Sequence, residues 1–236
     1  MLLVHYGFGY WFDPTYMLVL IGLLLSLGAS ALVKSTFAKY SKVRSMSGLT
    51  GAEAARRVLN ASGIYDVRIE RVAGNLTDHY DPRSKVLRLS SSTYGSNSVA
   101  AVCVAAHECG HAVQDAKHYG PLVLRSTLVP AANLGSTAAW PIFILGLIFS
   151  MRPLLTLGIL LFGLAVLFQL VTLPVEINAS TRAVRILENT GILTSGELTG
   201  GKAVLRAAAL TYVASLAASI LQLLRLIILA GGRDRD

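Results

Sequence analysis

His107-Glu108-Cys109-Gly110-His111 sets two imidazoles four residues apart with a carboxylate between them. On an α-helix, residues i and i+4 share a face, so His107 and His111 can reach one metal ion, and Glu108 lies near enough to take a proton from a metal-polarised water. This is the HExxH arrangement of zinc peptidases, and it implies Zn2+ as cofactor. A catalytic zinc generally uses three protein ligands and keeps one position for water, so a third donor has to come from elsewhere. The candidates are His5, His79, His118 and the carboxylates. His5 falls on the wrong side of the membrane in the orientation argued below. His118 is followed by the helix-breaking Gly120-Pro121 and misses the longer HExxHxxGxxH pattern, because position 117 is Lys. His79, in LTDHYDP, stays open. The best candidate is Glu176 in Leu-Pro-Val-Glu-Ile-Asn-Ala-Ser. A carboxylate among Leu, Val and Ile beside a membrane span is costly unless it is paired or metal-bound. The competing reading is a surface Glu paired with Arg182. The two cysteines, Cys103 and Cys109, form no CxxC pair. Cys109 is two residues from each histidine, about 200° round a helix, so it should point away from the metal and serve packing.

These groups need rigid elements to hold them. Ser98 to Lys117 reads as the helix that carries the motif. Upstream, Thr50-Gly-Ala-Glu53 is a capping box opening a short helix that ends at Gly63. Val67–Val72 and Lys85–Ser90 alternate with period two and read as strands, with a turn at Asp81-Pro-Arg-Ser and a loop at SSTYGSNS. The Lys85–Ser90 strand is a candidate edge to which an extended substrate could add.

The rest of the chain is too apolar for an ordinary soluble domain. Of 236 residues, 53% are hydrophobic and 14% charged, and mean hydropathy is +0.58. Disorder is excluded on the same grounds. Met17–Val33 has no charge, follows an interfacial Tyr/Trp-rich stretch, and reads as an uncleaved anchor, since Asp13 stands where a signal peptide would carry Lys or Arg. Leu128–Ser150 and Leu154–Leu173 form a tight hairpin turning at Arg152-Pro153, its first helix bent by Pro130 and Pro141. Ala207–Leu224 is a fourth span, extended to Ala230 if Arg225 snorkels to the interface.

The fold class expected is therefore a mainly α membrane protein: about four transmembrane helices and a small α+β, zincin-like cytosolic unit carrying the HExxH helix. Five segments follow. Residues 1–33 hold the interfacial N-terminus and first span, and 34–127 the metallopeptidase segment. Residues 128–173 form the hairpin, 174–206 the segment with the third zinc ligand, and 207–236 the last span and tail. The net charge of +8 rests on 21 basic and 13 acidic residues; thirteen of the basic ones lie in 34–127 and four in 174–206. Lys34, Lys39, Lys42 and Arg44 directly follow the first span, which places both polar segments in the cytosol and both termini outside. Basic charge explained in this way needs no nucleic acid.

HECGHAVQ, DHYDPRSKVLRLS, LPVEINASTRA and the terminal AALTYVASLAASILQLLRL together resemble the YugP-type membrane neutral zinc metallopeptidases, over most of the chain. The resemblance implies a multi-pass protein of the bacterial plasma membrane, with zinc on His107, His111 and Glu176 and with Glu108 as catalytic acid/base. The chain is more remotely similar to HtpX-type and CAAX-prenyl membrane proteases. Their later motif places Ala and Asp at the third and fourth positions after the Glu. Here Ala179 matches, but Ser180 replaces the Asp, and Asn178, Ser180 and Arg182 are the groups that could supply the missing support of the zinc site.

The expected reaction is hydrolysis of a peptide bond by metal-activated water, with Glu108 shuttling the proton from water to the leaving amine. Tyr212, Arg182, His79 and Tyr80 are the candidates to stabilise the oxyanion. Glu176 follows a span directly, so the site sits near the cytosolic membrane surface. The expected partners are a protein or peptide substrate, membrane proteins in quality control among them, and the lipid bilayer. Two other readings stay open. One is a non-proteolytic scaffold stapled by zinc; the other is a zinc hydrolase of a non-peptide amide.

Overall fold

A computed structural model describes residues 13–231. The interfacial stretch before Asp13, with His5, and the tail after Gly231 lie outside the described residues. The elements are α1 (Tyr16–Tyr40), α2 (Gly51–Ala61), β1 (Arg68–Val72), β2 (His79–Asp81), β3 (Val86–Ser90), α3 (Ser91–Tyr94), α4 (Val99–Ala116), α5 (Gly120–Ile148), α6 (Arg152–Asn189) and α7 (Ser195–Gly231). They group into two compact units. One comprises 29–127 and 171–212; the other comprises the described parts of 1–28, 128–170 and 213–236.

In the first unit α2 and α4 pack against each other and against the sheet. The α2 capping box forms as the sequence predicts: Thr50 accepts from the Glu53 backbone while Glu53 reaches back to the Thr50 N–H. Gly63, at φ 74°, turns the chain out of the helix. The core joins Ala55, Val58 and Leu59 of α2, Leu87 and Leu89 of β3, and Val102, Ala106 and Cys109 of α4. Ala183 and Leu187 of α6 close it. The small residues of α4 let it lie inside this cluster, buried along nearly its whole length. Ser98 caps it, its side chain accepting from the Ala101 N–H at 3.2 Å.

The sheet differs from the sequence reading in three ways. It has a third strand, β2, hidden in sequence because three residues ahead of a turn carry no periodicity. Its order is β1-β3-β2, with β1 parallel and β2 antiparallel to β3. β3 is therefore the central strand. Both its edges are taken, and the reading of Lys85–Ser90 as an edge for a substrate strand is overturned. The stretch read as loop after β3 also begins with a helical turn, α3. The Asp81 turn is as expected: its carboxylate accepts from the Arg83 N–H at 3.0 Å and the Ser84 hydroxyl at 2.6 Å.

Four helices are long and apolar enough to cross a membrane: α1, α5, α6 and α7. Both α5 and α6 continue through internal prolines. In the second unit they pack closely where side chains are missing. Gly158 meets Phe143, Gly135 meets the Leu161 carbonyl, and Gly22 meets Ala218, the small-residue contacts that let helices approach in lipid. Leu20, Leu24, Leu134, Ile148, Leu160 and Ile227 remain exposed, as a lipid-facing surface requires. Arg225 is buried rather than free at an interface. It pairs with Asp13 at 3.5 Å, donates to the Thr15 hydroxyl at 3.2 Å and stacks over Tyr16 at 4.1 Å.

Candidate active site

The site lies in the first unit, where α4 meets the part of α6 that extends beyond the apolar run. Gly110 makes this meeting possible. A Cβ there would overlap the carbonyl oxygen of Ala179, so α4 rests directly on the α6 backbone at the residue that follows Glu176 by three. One helical turn carries the consequence: the carboxylate of Glu176 is delivered to the face of α4 that presents His107 and His111. Its Oε2 lies 3.3 Å from His107 Nε2 and 3.4 Å from His111 Nε2.

The donor chemistry suits a zinc ion: two imidazoles and a carboxylate whose ligand atoms all lie within 4.8 Å of one another. Ligands at about 2.0–2.1 Å from a tetrahedral zinc stand about 3.3 Å from one another, which is the spacing seen from Glu176 to each histidine. Glu176 is 2% exposed, and its Oε2 has no hydrogen-bond donor other than the two imidazoles, which pair with it only when protonated. Its other oxygen accepts from Arg125 at 3.1 Å. A buried carboxylate with an unsatisfied oxygen costs several kcal/mol, and a dication at that oxygen removes the cost.

The far sides of both rings are held, so each Nε2 faces the centre. Gln114 Nε2 donates to the Val175 carbonyl at 2.8 Å and to Asn178 Oδ1 at 3.0 Å. Because that carbonyl can only accept, the Gln114 oxygen must face His111. His111 Nδ1, 3.0 Å away, is then the donor, and Nε2 carries the lone pair. His107 Nδ1 bonds the Ser180 hydroxyl at 3.0 Å. Arg182 donates to Asn178 Oδ1 at 2.7 Å and lies over the Tyr119 ring. Thus Ser180 touches His107 directly, Asn178 acts on His111 through Gln114, and Arg182 holds Asn178. Arg182 is not the partner of Glu176; that place belongs to Arg125. Burial pulls the His111 pKa down, while the Glu176 carboxylate and the charge of Glu108 more than offset it, so the net shift is upward.

Glu108 is buried and has no hydrogen bond or ion pair among the described residues. It borders a cavity of about 210 Å³ shared with His107, Asp78, Leu76 and Tyr212. Asp78 is tied to the end of β3 by the Ser90 N–H and hydroxyl, each at 2.8 Å. Leu76 adopts φ 56° in the same loop, a left-handed conformation that costs a non-glycine residue of order 1 kcal/mol or more. Tyr212, by lining this cavity, is the oxyanion candidate that shares space with Glu108. The others lie elsewhere: Tyr80 donates to Asp115 at 2.8 Å, and His79 is exposed with Nδ1 on the Thr77 carbonyl. Cys109 faces α2 and reaches the Ala55 carbonyl at 3.5 Å. Sequence reasoning missed Gly110, Gln114 and Arg125. Only Gln114 carries a local signal, since it follows His111 by three residues on the same helix face.

Two histidines of a helix that also presents a free glutamate, completed by a carboxylate from a second helix, define a metallohydrolase-type site, and the long apolar helices put it in a membrane protein. Residues 15–231 match the family described as putative neutral zinc metallopeptidase, and the chain belongs to that family. It is 49% identical over 220 residues to the putative membrane protease YugP of Bacillus subtilis (strain 168), an alignment covering 93% of this chain and 98% of that protein. No solved structure matches the chain.

Proposed function

We propose that the chain is a membrane-embedded zinc endopeptidase of the HExxH-plus-Glu kind, in a zincin-like unit working at the cytosolic face of the bacterial plasma membrane. The observation that carries this is the buried Glu176 Oε2, unsatisfied while the imidazoles are neutral and set at tetrahedral-edge spacing from the Nε2 atoms of both histidines. His107, His111 and Glu176 would hold the metal. When bound, zinc lowers the pKa of a coordinated water towards about 7 and polarises the substrate carbonyl.

The chain's own residues do the rest. Glu108, with its oxygens uncommitted, accepts the proton of the attacking water and returns it to the leaving amine. Gln114 and Ser180 keep the rings turned so that neither can swing away. Arg125 holds one Glu176 oxygen and leaves the other for the metal. Tyr212, which lines the same cavity as Glu108, donates to the oxyanion as the carbonyl becomes tetrahedral. A staple would need the ligands alone; the free Glu108 beside an open cavity favours a hydrolase over a scaffold. Because Glu176 lies on the same helix as the third span, the reading favours chains presented at the membrane, including misfolded membrane proteins, as substrates.

The test is Glu108→Gln, with zinc content and cleavage of a fluorogenic peptide and of a membrane-protein substrate measured side by side. Full zinc content with cleavage reduced by about 10²-fold or more supports the reading. Cleavage at the wild-type rate would remove Glu108 from the mechanism.

A further inference from the structure

A second cavity in the same unit, of about 390 Å³, opens between α6 and α7 where each helix leaves its apolar stretch. Arg185, Lys202 and Arg206 border it, and the rest of its lining is mainly aliphatic, with Ile177, Val184 and Leu205 beside the hydroxyl residues Ser180 and Thr181. None of the three cations has a hydrogen bond or an ion pair among the described residues, and no acidic side chain lines the cavity. Several basic groups elsewhere meet an acid: Arg225 meets Asp13, Lys85 meets Asp115, and Arg125 meets Glu176. Three like charges gathered without a counter-ion repel one another, and the cost is recovered when an anion enters.

We propose that this cavity binds the phosphate of an anionic membrane lipid. The phosphate would sit among Arg185, Lys202 and Arg206, and the start of an acyl chain would lie on Ile177, Val184 and Leu205. Three observations select a lipid over a soluble anion. The rest of the lining is mainly aliphatic, which a free phosphate cannot use. Ile177 is 47% exposed and Leu210, one residue beyond the cavity, is 46% exposed, so the apolar surface continues outward from the cavity. On α7 the cavity straddles the start of the apolar run, and on α6 it begins at Ile177, shortly past the end of the run at Leu173, near the level at which phospholipid headgroups stand and at which basic pockets between helices take up anionic lipid. The inference assumes that α6 and α7 cross the bilayer; it needs no catalytic activity, and none of the three metal-ligand candidates lines the cavity, though Ser180, which bonds His107, does.

The experiment uses the full chain in nanodiscs or detergent, with short-chain phosphatidylglycerol and phosphatidylcholine as probes and native mass spectrometry as readout. Expected is a preference for phosphatidylglycerol that falls about fivefold with each of Arg185→Gln, Lys202→Gln and Arg206→Gln, and roughly a hundredfold in the triple variant. Arg185→Lys and Arg206→Lys keep the charge and should keep the preference. Zinc content and melting temperature identify any variant that has failed to fold, and such a variant is replaced by its Lys counterpart paired with Lys202→Gln. A triple variant that retains the preference overturns the proposal. So does displacement of the lipid by inorganic phosphate or glycerophosphate at equal concentration, which would make the ligand a soluble anion. Displacement by an acidic peptide, reversed by the same substitutions, would make it a protein site and overturns it as well.

Discussion

Gln114 fixes the tautomer of His111: its amide nitrogen is spent on the Val175 carbonyl and Asn178, so its oxygen, 3.0 Å from Nδ1, accepts the ring proton. The metal-facing nitrogen is thereby kept free of a proton. Replacing Gln114 by Leu should lower zinc affinity about 10–100-fold without removing a ligand. Competition with a chromophoric chelator measures this, and unchanged affinity would show that the ring needs no such anchor.

The contact of Gly110 with the Ala179 carbonyl leads to a different kind of expectation. In Gly110→Ala the new methyl must push α4 from α6, because the atom it meets is backbone and cannot rotate aside. Overpacking of this sort costs about 1–3 kcal/mol. Since Glu176 moves with α6, the variant should also lose zinc while keeping all three ligands. Zinc stoichiometry and the melting temperature report the two effects separately.

Protons compete with the metal. His111 binds its second proton more tightly than an ordinary histidine, because the Glu176 carboxylate and the charge of Glu108 outweigh the effect of burial. In the zinc-free protein this protonated pair contributes stability that is present below the unfolded pKa of about 6.5 and is lost as pH rises through the higher folded value. For zinc the sign is reversed. Affinity should fall by about tenfold per pH unit as pH drops through and below that raised value, for each proton displaced. Titrations between pH 6 and 8 would show it, and an affinity flat across that range would count against His111 as a ligand.

The two thiols should be inert. Burial, with the charge of Glu197, pushes the Cys103 pKa up to about 12, and burial also pushes Cys109 upward. Iodoacetamide at pH 7.5 should leave both unlabelled in the folded protein and modify both in denaturant. Labelling of Cys109 in the folded state would mean that α2 separates from α4.

What could be read from the sequence follows the range of the interactions. The histidine pair is legible because its geometry is set within one helical turn, and the α2 capping box for the same reason. The spans are legible because lipid imposes length and composition directly. Glu176 is legible only through its cost, an acid beside a span with no local partner. Arg125 is not, because it precedes Glu176 by 51 residues and reaches it only once α5 and α6 have folded back. Gly110 reads as a filler between two chemically loud neighbours until α6 is seen lying on it. The parallel pairing of β1 with β3 is likewise invisible locally, since the residues between them contain the third strand and its turn.

The donor set also orders events in time. Both histidines precede α5, and Glu176 lies in α6 beyond its apolar run. A nascent chain therefore displays an incomplete pair of ligands while α5 and the apolar part of α6 are made, and it acquires its third only with the later turns of α6. Metal binding by the full donor set is then withheld from the half-made chain by the direction of translation alone.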